Sequence, residues 1–181
     1  MQRREFITGA LAALGAGLAP AQVEHVWARV CQTSHREGYC YQFVPVKTVT
    51  FFTHLVEHLI PTRDLTNADL ALARFVDGAI EQTRSQREKV QITRCLEHLY
   101  QRYNRMAGAP DTTMTQLIGD GLMADDEEIA GPLNTIRQLA MVGFYTSEYV
   151  ARQLLNFDPV PGHYDPEIKI SELDKRTTWS R

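Results

Sequence analysis

The chain is poor in cysteine, has no cluster of basic residues and has no long apolar run beyond its N-terminal stretch. Three cysteines in 181 residues cannot staple a small scaffold together, so the fold must rest on a hydrophobic core. No C-x-x-C-H sequence occurs, which excludes covalent haem attachment to this chain. No G-x-G-x-x-G turn occurs either; Gly119-Asp120-Gly121 is a lone G-x-G between helical segments. The absence of G-x-S-x-G excludes the nucleophile elbow of an α/β-hydrolase. Beyond the N-terminus nothing is long and apolar enough to span a bilayer, so membrane contact would come through a partner. Nineteen Lys and Arg stand against 22 Asp and Glu, a net charge of −3. No nucleic-acid partner is expected from that balance.

What is present is the composition of an ordinary soluble domain, 44% hydrophobic and 23% charged. The length suits one domain.

The first residues read as an address. Arg3-Arg4, one spacer, then Phe6 and Ile7 resemble the twin-arginine export motif. Ile7 to Ala19 is apolar, small and uncharged, too short for a membrane span. Ala19-Pro20-Ala21 supplies a small-x-small cleavage pattern. Residues 1–21 are therefore expected to be a signal peptide and residues 22–181 a single helical domain in the periplasm. The twin-arginine route carries folded cargo. A leader of this type on a chain without a cofactor motif points to a partner that carries one.

Cys31, Cys40 and Cys95 would then meet an oxidising compartment. Three is odd, so one pair can close and one thiol is left. Cys31 and Cys40 are the obvious local pair, while Cys95 falls within a helical pattern that would bury it. All three can equally be small core residues.

Strand signals are weak, and Pro45 interrupts the one β-like run, Tyr41 to Thr50. Helical spacing prevails elsewhere. It predicts a short helix over 22–32 with Val23, Val26, Trp27 and Val30 on one face. A stronger helix is predicted over 47–60, with Phe51, Phe52, Leu55, Val56 and Leu59 inward and Pro61 as its stop. Asn67 suits the cap of a helix over 68–82 that buries Leu70, Leu72, Phe75, Val76 and Ile80. The longest helix is predicted over 85–106. Its apolar face is Val90, Leu96, Leu99, Tyr100, Tyr103 and Met106, and Gly108 and Pro110 stop it. Shorter helices follow over 113–122, over 132–144 with Pro132 in the first turn, and over 147–155. Residues 157–181 read as an extended tail. Its apolar residues Val160, Tyr164, Ile168, Ile170, Leu173 and Trp179 suggest that it lies on a surface, of this domain or of another chain. The fold class is all-α: an irregular bundle of about five to seven helices with an extended C-terminal tail.

One motif carries potential chemistry. His54-Leu55-Val56-Glu57-His58 reads H-x-x-E-H on a predicted helix. Two histidines four apart share a helical face and can share a metal, with Glu57 as a base. This alternative makes the protein a free-standing periplasmic metal-dependent hydrolase. It needs a third ligand, for which Glu81, Glu88 and Glu97 are candidates, although such peptidases are larger and mixed α/β. The plainer reading is a half-buried polar helix face. The acidic run Asp125 to Glu128 suits a helix N-terminus. A helical protein associated with lipid or cell wall is a further possibility.

The C-terminal third carries recognisable residues. Gly143-Phe144-Tyr145-Thr146-Ser147-Glu148, then Leu154, Leu155 and Phe157, then Val160-Pro161-Gly162-His163-Tyr164, resemble the gluconate 2-dehydrogenase subunit 3 family, the small or gamma subunit. Leu59-Ile60-Pro61 and Arg74-Phe75-Val76-Asp77 match further elements in the same order. Thr62 to Leu65 and Phe157 depart from the usual pattern, where a P-G-A turn and a tyrosine are common. The resemblance implies a subunit that catalyses nothing alone. FAD and haem c would sit in partners: a flavoprotein dehydrogenase of the glucose–methanol–choline type and a multihaem cytochrome c. The twin-arginine translocase would be a further partner. The complex would oxidise a sugar or sugar acid and be attached to the inner membrane. The small subunit would escort the flavoprotein across and support its folding. Tyr145, Thr146, Ser147, Glu148, Tyr149, Pro161, Gly162 and Tyr164 are the candidate partner contacts, because aromatic residues with a polar tip suit interfaces. Gly143 would let two helices approach closely.

Overall fold

Apolar residues spaced three and four apart define the helices of this chain. The computed structural model describes residues 29–30, 32–34, 38–60, 70–106, 108–124, 126–153, 156–157 and 179–180. Residues 29–30 and 32–34 are helical, and Val30 is fully buried. Most of the helix expected over 22–32, including Val23, Val26 and Trp27, lies outside the described residues, as do the leader and Asn67.

A 3-10 turn, Val46–Thr48, leads into α1, Val49–Leu59. The five residues expected to face inward from α1 are all buried. Helix α2, Leu72–Thr83, buries Leu72, Phe75, Val76 and Ile80 as expected, but Leu70 is cut off from it. Ala71 between them adopts a left-handed conformation with φ 49, and its carbonyl accepts the amide of Phe75 at 2.9 Å.

Helix α3, Gln86–Arg105, starts at a complete capping box. Ser85 Oγ accepts the amide of Glu88, and Glu88 Oε2 accepts the amide of Ser85 at 2.9 Å. Each partner satisfies a helix-end donor that the backbone cannot. The face of α3 differs from expectation at one residue. Val90 is 41% exposed, and Ile92 is buried instead. Ile92, Cys95, Leu96 and Leu99 follow the i, i+3, i+4, i+7 stripe, whereas Val90 falls on the far side of the helix.

Two prolines also act differently from expectation. Pro110 does not merely end α3. It occupies the first turn of α4, Pro110–Leu122, where its missing N–H costs nothing and its fixed φ favours helix. Conversely, α5 does not begin at Pro132. It runs Glu127–Thr146, with Asp126 as its cap, accepting the Glu128 amide at 2.9 Å. Glu127 and Glu128 complement the positive end of its dipole. Pro132 is therefore a buried interior residue, and its ring removes one helical hydrogen bond. Helix α6, Glu148–Gln153, ends the bundle.

Helix α5 packs against α1, α2, α3 and α4. Its buried stripe, Leu133, Ile136, Leu139 and Ala140, meets Phe52, Leu55, Ile80, Leu99 and Leu117 in one core. Close approach depends on Gly143. A Cβ there would lie 2.5 Å from Cδ1 of Phe75, so Phe75 lies flat on the α5 backbone. The fold is all-α, with one two-residue addition. Asn156–Phe157 pairs in parallel with Trp179–Ser180. The rest of the tail falls outside the described residues.

Segment 38–44 crosses α2 without regular structure, and one side chain takes most of its hydrogen bonds; Tyr39 Oη also lies 3.2 Å from the Arg74 carbonyl, and the Tyr41 and Thr53 hydroxyls lie 3.4 Å apart. Asp77 is fully buried. Its Oδ1 accepts the amides of Phe43 at 3.0 Å and Val44 at 2.8 Å. Its Oδ2 accepts the amide of Gln42 at 2.8 Å and the Tyr39 hydroxyl at 2.7 Å. Both oxygens are thus fully occupied, which is what a buried carboxylate requires. The Tyr39 hydroxyl is pushed far above the tyrosine range, first by burial and then by its bond to Asp77.

Two predictions follow from this packing. Gly143→Val forces Phe75 off α5 and should destabilise the protein by about 1–3 kcal/mol, the usual cost of overpacking. Adding Phe75→Leu should recover part of that loss, as read by urea denaturation. The second concerns Glu88. Burial raises its pKa, but the Ser85 hydroxyl and amide and the Arg84 charge outweigh burial and hold it below the usual carboxylate range. Its contribution is therefore full above the unfolded pKa and lost as pH falls through the lower folded value. Thermal melts of wild type and Glu88→Gln should differ at pH 7 and converge in strong acid.

Candidate functional site

The G-F-Y-T-S-E element forms the last turn of α5 and the joint to α6. Gly143 faces inward against Phe75. Phe144 is half-buried against the core and meets the Tyr145 ring edge-on, with centroids 5.2 Å apart. Thr146 Oγ1 donates back to the Val142 carbonyl at 2.7 Å. Ser147 closes α5 through its amide, bonded to the Phe144 carbonyl at 3.2 Å, and its extended ψ of 134 lets α6 begin at Glu148.

The outer side of this joint is apolar. Among the described residues six large hydrophobic side chains are exposed, and three lie here: Met141 at 38%, Tyr145 at 53% and Tyr149 at 40%. Met141 and Tyr145 are one helical turn apart on the same edge of α5. Val46, Val90 and Met123, the other three, belong to three separate elements. Glu148 is exposed, while Thr146 and Ser147 are half-buried. Pro161, Gly162 and Tyr164 lie outside the described residues. Met141 and Tyr145 thus form an exposed edge of α5, and Tyr149 is exposed just past the joint; Met141 is not among the residues that the sequence pointed to. Its spacing, four before Tyr145, was the available signal. This exposed ridge along the chain, two phenols and a thioether, can bury apolar area while the hydroxyls find polar partners.

The H-x-x-E-H residues lie on α1. His54 is exposed, and Glu57 and His58 are half-buried. His58 Nδ1 lies 2.8 Å from the His54 carbonyl. A carbonyl only accepts, so Nδ1 carries the proton. The other ring nitrogen lies 3.5 Å from Asp111 Oδ1. His58 is thus bonded within α1 through Nδ1, and its Nε2 faces the start of α4. Glu81 is paired with Lys89 at 2.9 Å, Glu88 serves the α3 cap, and Glu97 is exposed on α3. Among the described residues no three His, Cys, Asp or Glu side chains are gathered to hold a metal ion. In the acidic run, Asp126 caps α5; Asp125 lies outside the described residues. No helix among the described residues is long and apolar enough to cross a membrane.

The cysteines fall into different environments. Cys40 is an exposed free thiol, 3.7 Å from the Gly38 carbonyl. Cys95 is a buried free thiol that donates to the Ile129 carbonyl at 3.5 Å, linking α3 to α5. Burial, aided by the Asp126 charge, pushes the Cys95 thiol up to about 12. Cys31 lies outside the described residues. The thiolate is the reactive form. In a Cys31→Ser background, Ellman's reagent at pH 7.5 should therefore titrate Cys40 in the folded protein and reach Cys95 only after denaturation.

Residues 47–162, well over half of the chain, match the family model described as gluconate 2-dehydrogenase subunit 3. No curated protein and no solved structure matches the chain. The matched region spans α1 to α6 and contains both Phe75 and Gly143, the two residues that set the central helix crossing. The chain therefore belongs to the gluconate 2-dehydrogenase subunit 3 family, and so to the subunits of a multisubunit dehydrogenase.

Proposed function

We propose that this chain is the non-catalytic small subunit of a periplasmic dehydrogenase complex and that it escorts a flavoprotein subunit through twin-arginine export. The observation that carries the reading is the exposure of Met141, Tyr145 and Tyr149 around the α5–α6 joint, inside the region that matches the family. Such side chains are the usual anchors of a protein interface. The division of labour supports the same reading. The leader with Arg3 and Arg4 belongs to this chain, and the sequence has no nucleotide-binding turn or haem-attachment motif. A folded-cargo address on such a chain makes sense when the cargo is a partner that already holds its cofactor.

In this scheme the flavoprotein, of the glucose–methanol–choline type, binds FAD and oxidises a sugar or sugar acid. A multihaem cytochrome c receives the electrons and attaches the complex to the inner membrane. The small subunit holds the flavoprotein through the α5–α6 joint and supports its folding.

The test is co-expression with the flavoprotein of the same complex. Replacing Arg3 and Arg4 by lysine should leave the flavoprotein in the cytoplasm. Replacing Tyr145 and Tyr149 together by alanine should weaken co-purification by about thirtyfold or more, the effect of losing an interface hot spot. Normal appearance of the flavoprotein in the periplasm without the arginine pair would overturn the escort role. Unchanged co-purification of the double alanine variant would overturn the assignment of the ridge.

A further inference from the structure

Three consecutive backbone amides of one short segment end on a single side chain. Gln42, Phe43 and Val44 all donate to Asp77, and Tyr39 adds its hydroxyl. The segment has no helical ladder or strand partner of its own. Asp77 belongs to α2, inside the region matched by the family, whereas residues 38–44 precede it. The segment thus lies on the matched bundle and is attached to it by a residue of the bundle.

We propose that Gly38–Val44 is a strap that opens as a unit of its own, with Asp77 as its latch, while α1 to α5 stay folded. Local opening requires that the departing segment carry few of the contacts that hold the rest. The helix crossings of α5 with α1 to α4 involve none of its residues. Opening also leaves no stranded charge. When the four donors withdraw, water reaches the carboxylate and replaces them, so the desolvation cost of a buried anion is relieved in the same step. Closure is favoured by those four bonds and by Val44, which is buried, with Tyr41 and Phe43 packed on the core edge. The strap shares the cover of α2 at Gly78 with Val30: Tyr39 Oη and Val30 Cγ1 each lie 3.5 Å from the position a Cβ would take. Opening would withdraw Tyr39 from that stretch of α2 without unfolding the bundle, while the fully buried Val30 stays packed against it.

Hydrogen exchange on the full chain, read by NMR, tests this. In wild type the amides of Gln42, Phe43 and Val44 should exchange at least tenfold faster than those of Leu139 and Ala140 in α5, after correction for intrinsic rates. Asp77→Asn replaces one acceptor oxygen by a donor and removes the charge. It should accelerate exchange at 42–44 by about a hundredfold or more, since each bond to a charged group contributes roughly tenfold. Leu139 and Ala140 should change less than about threefold, the spread expected of an uncoupled site. Equal protection of the two groups in wild type, or parallel acceleration in the variant, would overturn the proposal. Should Asp77→Asn not fold, Tyr39→Phe decides by the same comparison: acceleration confined to 42–44 supports the latch, and acceleration of both groups overturns it.

Discussion

The bundle depends on how closely α2 and α5 can approach. Phe75 lies where a side chain at position 143 would be, and only the glycine there allows the ring to reach the α5 backbone. Since α5 touches each of α1 to α4, that one distance fixes where the other helices can pack. Gly121 plays a lesser version of the same part, with the Leu133 side chain 2.7 Å from its missing Cβ. That neighbour is the far end of a flexible side chain and can move, whereas the ring on Gly143 is held in the core. Two of the elements that carry the family resemblance in the sequence, one around Phe75 and one beginning at Gly143, are therefore the two halves of one contact.

Much of this was legible in the sequence because burial follows helical spacing. Every inward residue assigned to α1 is buried, and four of the five assigned to α2 lie within it. The failures come from residues whose meaning depends on what lies on the other side of them. Pro110 looks like the end of α3 and is the beginning of α4. Pro132 looks like a beginning and is an interior residue, because Asp126 supplies a better cap six positions earlier. Proline restricts the chain in the same way in both roles, so the local sequence does not say which applies. Val90 was assigned to the core because it is apolar, although it breaks the stripe that Ile92 keeps.

The role of Asp77 was not legible at all. Its partners are backbone amides more than thirty residues away, and amides carry no sequence signature. The ridge was partly legible, since Tyr145 belongs to a motif and Tyr149 directly follows it. The exposure of Met141 required knowing which edge of α5 faces outward. Histidine spacing on α1 suggested chemistry, and the fold gives His58 a tie to its own helix and to Asp111 instead. Spacing alone describes one helix face, whereas a metal site needs ligands that tertiary structure brings from elsewhere.

The parallel pairing of Trp179–Ser180 with Asn156–Phe157 bears on how the protein is handled. The last residues return to a position just after α6, and the first pairing strand packs on that helix. A bulky group attached at Ser180 would therefore sit close to α6 and compete for space with anything docking at Tyr149. A tag inserted at the exposed Met123, in the turn between α4 and α5, belongs to a different part of the chain from that pairing.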